Sequence, residues 1–172
     1  LQGFAHIGAL KALEELKVDI SYISGTSTGS AIATLYALGY TLDEIKTICK
    51  EKYKKILKIR KKTLCKMAIN YLLHKETRVE GIIDGTLVEN FIDEAANLKN
   101  VKNISDVKNK KLAIATVDTI SMKECLFISK NIENKDENVD YIKDIPLGKA
   151  VRSSMAFPAI FTTPNYGKYN FL

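Results

Sequence analysis

The residues best able to do chemistry are Gly25-Thr-Ser27-Thr-Gly29-Ser30, a Gly-x-Ser-x-Gly run between a β-prone stretch and an apolar, helix-forming stretch. That is the sequence form of a nucleophile elbow, in which a serine sits on a sharp strand-to-helix turn. The serine there occupies a strained part of backbone space. Glycines two positions away on either side, Gly25 and Gly29, let neighbouring backbone approach without a Cβ clash. The hydroxyl of Ser27 is then thrust out at a helix N-terminus. The free N–H of Thr28 and the positive end of the helix dipole can stabilise an oxyanion at that point. The chemistry implied is attack of Ser27 on an ester carbonyl.

A serine nucleophile needs a base, and the chain has only two histidines. A triad in the order serine, acid, histidine leaves His74, with Asp43, Glu44 or Glu51 as its partner. His74, however, ends an amphipathic helix among basic residues instead of standing on a loop. His6 precedes the elbow on the first helix and is expected to pack or hydrogen-bond beside it. Two aspartates are further candidates. Asp84 belongs to the only Asp-Gly pair in the chain, and Asp118 ends a strand, where α/β sites gather. Both also have the ordinary reading of a turn residue.

The elements that must hold these residues follow from hydrophobic periodicity. Phe4 to Leu16 reads as a helix, with Gly8 expected to allow close packing on the elbow or the sheet. Val18 to Ile23 is a short strand, and Thr28 to Leu38 is a helix apolar nearly all round, hence buried, stopped by Gly39. Thr41-x-x-Glu44 is a capping-box start, as is Thr86-x-x-Glu89 for a helix reaching Ala96. A further helix is predicted over Leu64 to Leu73. Leu112–Val117 and Glu124–Ser129 read as strands, and Asn131 to Asp140 as a polar loop. Gly148 to Met155 reads as a helix that Pro158 terminates. The alternation predicts an α/β domain with a largely parallel sheet.

Composition bounds the rest. With 172 residues, 46% hydrophobic and 27% charged, the chain has enough apolar material for one domain. Its formal charge of +6 is concentrated between Lys46 and Lys66, where ten Lys or Arg face a single acid, Glu51. Ile45, Ile48, Cys49, Tyr53 and Ile56 recur at helical spacing through that stretch, making it a basic amphipathic helix. It reads either as a solvated face or as a surface for anionic lipid or a phosphorylated substrate. No nucleic-acid motif or aromatic platform accompanies the charge. Cys49, Cys65 and Cys125 suit neither a disulfide framework nor a zinc site. No apolar run of membrane-spanning length and no signal peptide are visible. Because the chain opens on Leu1 and closes on the strand-like Asn170-Phe171-Leu172, it reads as a fragment.

Three blocks together resemble the patatin-like phospholipases: Gly3-Phe-Ala-His6-Ile-Gly8-Ala-Leu10, then Gly25-Thr-Ser27-Thr-Gly29-Ser30, then Ala150-Val-Arg-Ser-Ser-Met-Ala-Phe-Pro158-Ala-Ile-Phe161. The resemblance implies a single domain over 1–172, a three-layer sandwich of a largely parallel sheet between helices. It also implies hydrolysis of lipid carboxylic esters by a serine–aspartate dyad without histidine, metal or cofactor. In that family a Gly-Gly-Gly-x-Arg/Lys-Gly loop forms the oxyanion hole. Here only Leu1-Gln2-Gly3 of it remains, with Gln2 where Arg or Lys is usual. The family's aspartate, in an Asp-Gly-Gly or Asp-Gly-Ala motif, would follow Leu172, so the domain is expected to be cut at both ends. The expected partners are a lipid or phospholipid substrate and peripheral contact with an anionic membrane, in a cytoplasmic or membrane-peripheral setting. The alternative is a non-catalytic lipid-binding or interaction domain that keeps the fold without the dyad.

Overall fold

Among the described residues the main hydrophobic core lies against one face of a four-stranded sheet. The computed structural model describes residues 3–51, 85–156 and 164–171. In chain order the elements are α1 (Gly3–Glu15), β1 (Tyr22–Gly25), α2 (Thr28–Ala37), α3 (42–51) and α4 (Thr86–Asn97). A 3-10 turn at Ile104–Asp106 precedes β2 (Lys111–Val117), β3 (Glu124–Ile128), β4 (Val139–Ile142) and α5 (Leu147–Ser154). A two-stranded hairpin follows, β5 (Asn165–Tyr166) and β6 (Tyr169–Asn170). The sheet order is β1-β2-β3-β4, with β1–β2 and β3–β4 parallel and β2–β3 antiparallel. The fold is therefore α/β, a mixed and mostly parallel sheet flanked by helices.

The period of two along β2 decides how the layers stack. Leu112, Ile114 and Thr116 are buried while Ala113 and Ala115 are less so. In the antiparallel register Ile114 stands opposite Phe127, and Thr116 opposite Cys125, so these share one face. That face forms the main core with Ala33 and Ala37 of α2, Ile92 of α4, Val151 of α5, and Phe171. Phe127 and Phe171 meet edge-on at 5.0 Å between ring centres. Ala113, Ala115 and Leu126 face the other way. They floor a cavity of about 720 Å³ that α1 overhangs with Ala9, Leu10 and Leu13.

Local signals explain most boundaries. Gly39 follows α2 with φ 85°, a conformation that favours glycine. The Thr41–Glu44 capping box forms: Thr41 N–H donates to Glu44 Oε2 at 2.8 Å and Glu44 N–H to Thr41 Oγ1 at 3.3 Å. The expected box at Thr86 does not form. Gly85 is the N-cap there, and the Glu89 carboxylate turns instead to Arg152 at 2.8 Å and Lys149 at 3.9 Å. Close packing at Gly8 is also overturned, since a Cβ there would meet no described atom within 4 Å. The close approach lies at Gly148, where a Cβ would stand 2.6 Å from Asp93 Cγ and where the Gly148 N–H donates to Asp93 Oδ1 at 2.8 Å. The predicted polar loop holds to Asn138, after which Val139 opens β4. The helix predicted over Leu64–Leu73, the basic stretch beyond residue 51, Cys65, His74, Asp84 and Pro158 lie outside the described residues.

Candidate active site

Ser27 stands between the end of β1 and the start of α2 with φ 53° and ψ −128°. A non-glycine residue adopts such a conformation only at a cost of about 1–3 kcal/mol, so the surrounding structure must enforce it. Gly25 supplies the room: a Cβ there would lie 2.6 Å from the Gly29 carbonyl carbon and 2.7 Å from Ser30 N, both immovable backbone. Gly29 has more space, its nearest neighbour being His6 Nε2 at 3.8 Å from where a Cβ would sit.

Both ends of the Ser27 backbone are pinned. Its carbonyl accepts from the Ser30 N–H at 3.0 Å and from the Ser30 hydroxyl at 2.6 Å. Its N–H donates to Ser154 Oγ at 3.0 Å, and the Ser154 hydroxyl donates in turn to the Ala115 carbonyl at 2.6 Å. The Ser27 side chain is exposed. The N–H of Thr28, the first residue of α2, has no acceptor among the described residues. Helix α1 begins at Gly3, one turn before His6, so the N-terminal turns of two helices flank the elbow. The α1 cavity reaches it at Gly25, Thr26 and Gly29.

The other candidates fall elsewhere. Asp118 is 3% exposed and its carboxylate is fully occupied. Oδ2 accepts from the Ser121 hydroxyl at 2.6 Å and the Ser121 N–H at 2.9 Å, and Oδ1 accepts from the Asn170 N–H at 2.9 Å. The Ser121 hydroxyl above all, with the N–H groups of Asn170, Ser121 and Ile120, holds its pKa down at about 2. So weak a base, with its lone pairs committed, suits a turn clamp and not proton abstraction. Arg152 forms the ion pair with Glu89 already described, which makes it a link between α5 and α4. Burial pushes the Cys125 thiol up to about 11, so it is a packed and unreactive group. Among the described residues no carboxylate or imidazole is hydrogen-bonded to the Ser27 hydroxyl.

Comparison with known proteins decides the family: the model of the patatin-like phospholipases matches residues 1–171. The chain belongs to the patatin-like phospholipase family. Among its relatives is the uncharacterized protein YqhO of Bacillus subtilis, 24% identical over 161 residues, which are 94% of this chain and 54% of YqhO. The uncharacterized protein R571 of Acanthamoeba polyphaga mimivirus is 51% identical over 49 residues, 27% of this chain and 16% of that protein. Lysophospholipase NTE1 of Kluyveromyces lactis is 49% identical over 41 residues, 24% of this chain and 3% of NTE1. The chain thus spans about half or less of the length of these curated relatives. The match agrees with the α/β fold described above.

Sequence reasoning overlooked the part played by Ser154. It lies inside the block quoted from Ala150 to Phe161. Yet nothing in the periodicity of an eight-residue helix sets it apart from Ser153, which donates its hydroxyl back to the Lys149 carbonyl at 2.8 Å. The two adjacent hydroxyls part company only when β2 and the elbow are seen beside them.

Proposed function

We propose that the protein is a serine lipid acyl hydrolase, a phospholipase A-type esterase that cleaves the carboxylic esters of lipids with Ser27 as nucleophile. The observation that carries the reading is the enforced strain of Ser27 at a strand-to-helix turn, in a chain of this family. The Ser27 oxygen attacks the ester carbonyl and gives its proton to a carboxylate base. The C–O bond to the alcohol breaks, the alkoxide takes up that proton, and water then releases the fatty acid from the acyl-serine. The Thr28 N–H and the backbone near Gly3 are the proposed oxyanion donors, reinforced by the two helix N-termini. The apolar cavity beside the elbow offers room for an acyl chain.

The base in this proposal is an aspartate following Leu172. The path of the chain supports it. Phe171 bridges Asp118 in antiparallel sense, and the Thr119 N–H donates to the Asn170 carbonyl at 2.8 Å. That bridge sets the end of the described chain beside β2, the strand whose Ala115 carbonyl holds Ser154 and, through it, the elbow.

The test is hydrolysis of a p-nitrophenyl acyl ester by the full-length protein. Ser27→Ala is expected to abolish turnover and His74→Ala to retain it. Equal loss in both would replace the dyad with a triad, and hydrolysis surviving Ser27→Ala would refute the enzyme reading in favour of a non-catalytic lipid-binding domain.

A further inference from the structure

A single hydroxyl ties three distant parts of the chain together at the elbow. Ser154 is 127 residues from Ser27 in sequence, ends α5, and is 9% exposed. Its oxygen accepts the N–H of the strained residue and its proton goes to the carbonyl of Ala115 on β2. Without it, both of those backbone groups would be unpartnered beside the sheet. The peptide between Thr26 and Ser27 would also be free to rotate toward a relaxed φ and ψ. The other side of Ser27 is held locally by Ser30, so among the described residues the Ser154 bond is the one side-chain restraint on the Ser27 N–H.

We propose that Ser154 is a positioning residue for the nucleophile: it locks the Ser27 backbone in its high-energy conformation and fixes the elbow to β2, so that Ser27 Oγ is held at its attacking angle. The proposal rests on the serine-hydrolase reading above. It assigns Ser154 no contact with substrate. It also gives the Ser27 N–H a structural duty, which leaves the Thr28 N–H as the elbow's donor to an oxyanion. Losing a buried partner weakens the geometry in the transition state more than in the bound ground state, so the effect belongs in kcat and not in KM.

The experiment measures kcat and KM on a soluble p-nitrophenyl ester, the rate at which a fluorophosphonate labels Ser27, and the melting temperature, all on the full-length protein. In Ser154→Ala, kcat and labelling rate are expected to fall about ten- to a hundred-fold, the range set by leaving buried polar groups unpaired, with KM unchanged. Ser154→Thr, which keeps a hydroxyl, should recover most of the loss. Ser154→Cys preserves the packing volume but weakens both hydrogen bonds, and should lose activity while melting near the wild-type temperature; it decides the matter if the alanine variant does not fold. Thr116→Val is the structural control. It removes the neighbouring tie of β2 to α5, Thr116 Oγ1 to the Ser153 carbonyl at 3.1 Å, without touching the elbow. Its kcat should stay at the wild-type value.

Wild-type kcat in Ser154→Ala or Ser154→Cys would overturn the proposal, as would a fall in kcat in Thr116→Val matching that of the Ser154 variants. Turnover that persists in Ser27→Ala strikes the enzyme reading itself. Turnover lost in Ser27→Ala but intact in both Ser154 variants strikes the positioning role alone.

Discussion

Replacing Asp118 with Asn tests the assignment of this buried carboxylate to structure instead of proton transfer. Both of its oxygens accept, from Ser121 on one side and Asn170 on the other. An amide must turn its NH2 toward one of those donors, so at least one hydrogen bond is lost and replaced by repulsion. The pKa gives an independent magnitude. A fall from 3.8 to about 2 in the folded protein, at about 1.36 kcal/mol per pH unit, makes the ionised form worth roughly 2 kcal/mol of folding stability. Because the folded pKa is depressed, that contribution is complete above pH 3.8, declines as pH falls toward 2, and is gone below it. Asp118→Asn should therefore unfold about 2 kcal/mol more easily in urea at pH 7, roughly 4–8 °C in Tm for a chain of this size. The gap between wild type and variant should close between about pH 4 and pH 2. Circular dichroism during urea titrations across that range measures it. A gap that is absent at pH 7, or constant down to pH 2, would refute the reasoning. Ester hydrolysis by the folded variant should be retained, whereas a general base would lose several orders of magnitude in kcat.

Two other perturbations read different parts of the frame. Gly25→Ala forces a Cβ to 2.6 Å from backbone that the elbow cannot move, so it should cost on the order of 3 kcal/mol in urea denaturation and abolish fluorophosphonate labelling of Ser27. A stable, labelled variant would show that the close approach is not required. Glu89→Gln breaks the ion pair to Arg152, whose side chains are 17% and 14% exposed, and should destabilise by about 2–3 kcal/mol. A double-mutant cycle with Arg152→Met should give a coupling above about 1 kcal/mol, and strict additivity would exclude a direct interaction.

The elbow was legible because its determinants are local: Gly25, Ser27, Gly29 and Ser30 act on one another within six residues, and the flanking runs differ in period. The α1, α2, β2 and β3 assignments hold to within a residue or two for the same reason, and β1 is displaced toward the elbow. The misreadings arise where a long-range partner outbids a local one. Glu89 fits a capping box by spacing, but Arg152 and Lys149, some sixty residues on, claim its carboxylate. Asp118 is not among the misreadings: its ordinary reading as a turn residue holds, with Ser121 bound locally, and only its bond from Asn170 lay beyond the local sequence. Strand β4 has only four residues, two of them polar, and follows a charged loop, so neither length nor alternation marks it. The β5–β6 hairpin left one usable signal, Gly167 with φ 57° between two tyrosines.

These long-range partners explain why the site needs more than its motif. The strain at Ser27 is opposed on one side by Ser30, three residues away, and on the other by Ser154, which can act only once α5 has docked on β2. Docking depends on Gly148 letting α5 approach α4 at Asp93, on the Arg152–Glu89 pair, and on Val151 entering the same core as Ile114 and Phe127. Phe171 packs into that core too and bridges Asp118 at the end of β2. The proposed nucleophile and the proposed positioning hydroxyl are thus both tied to β2 at Ala115, three residues before the bridge at Asp118. A Gly-x-Ser-x-Gly run elsewhere, with the same glycines but no such strand beside it, would have the shape of an elbow without the means to keep it.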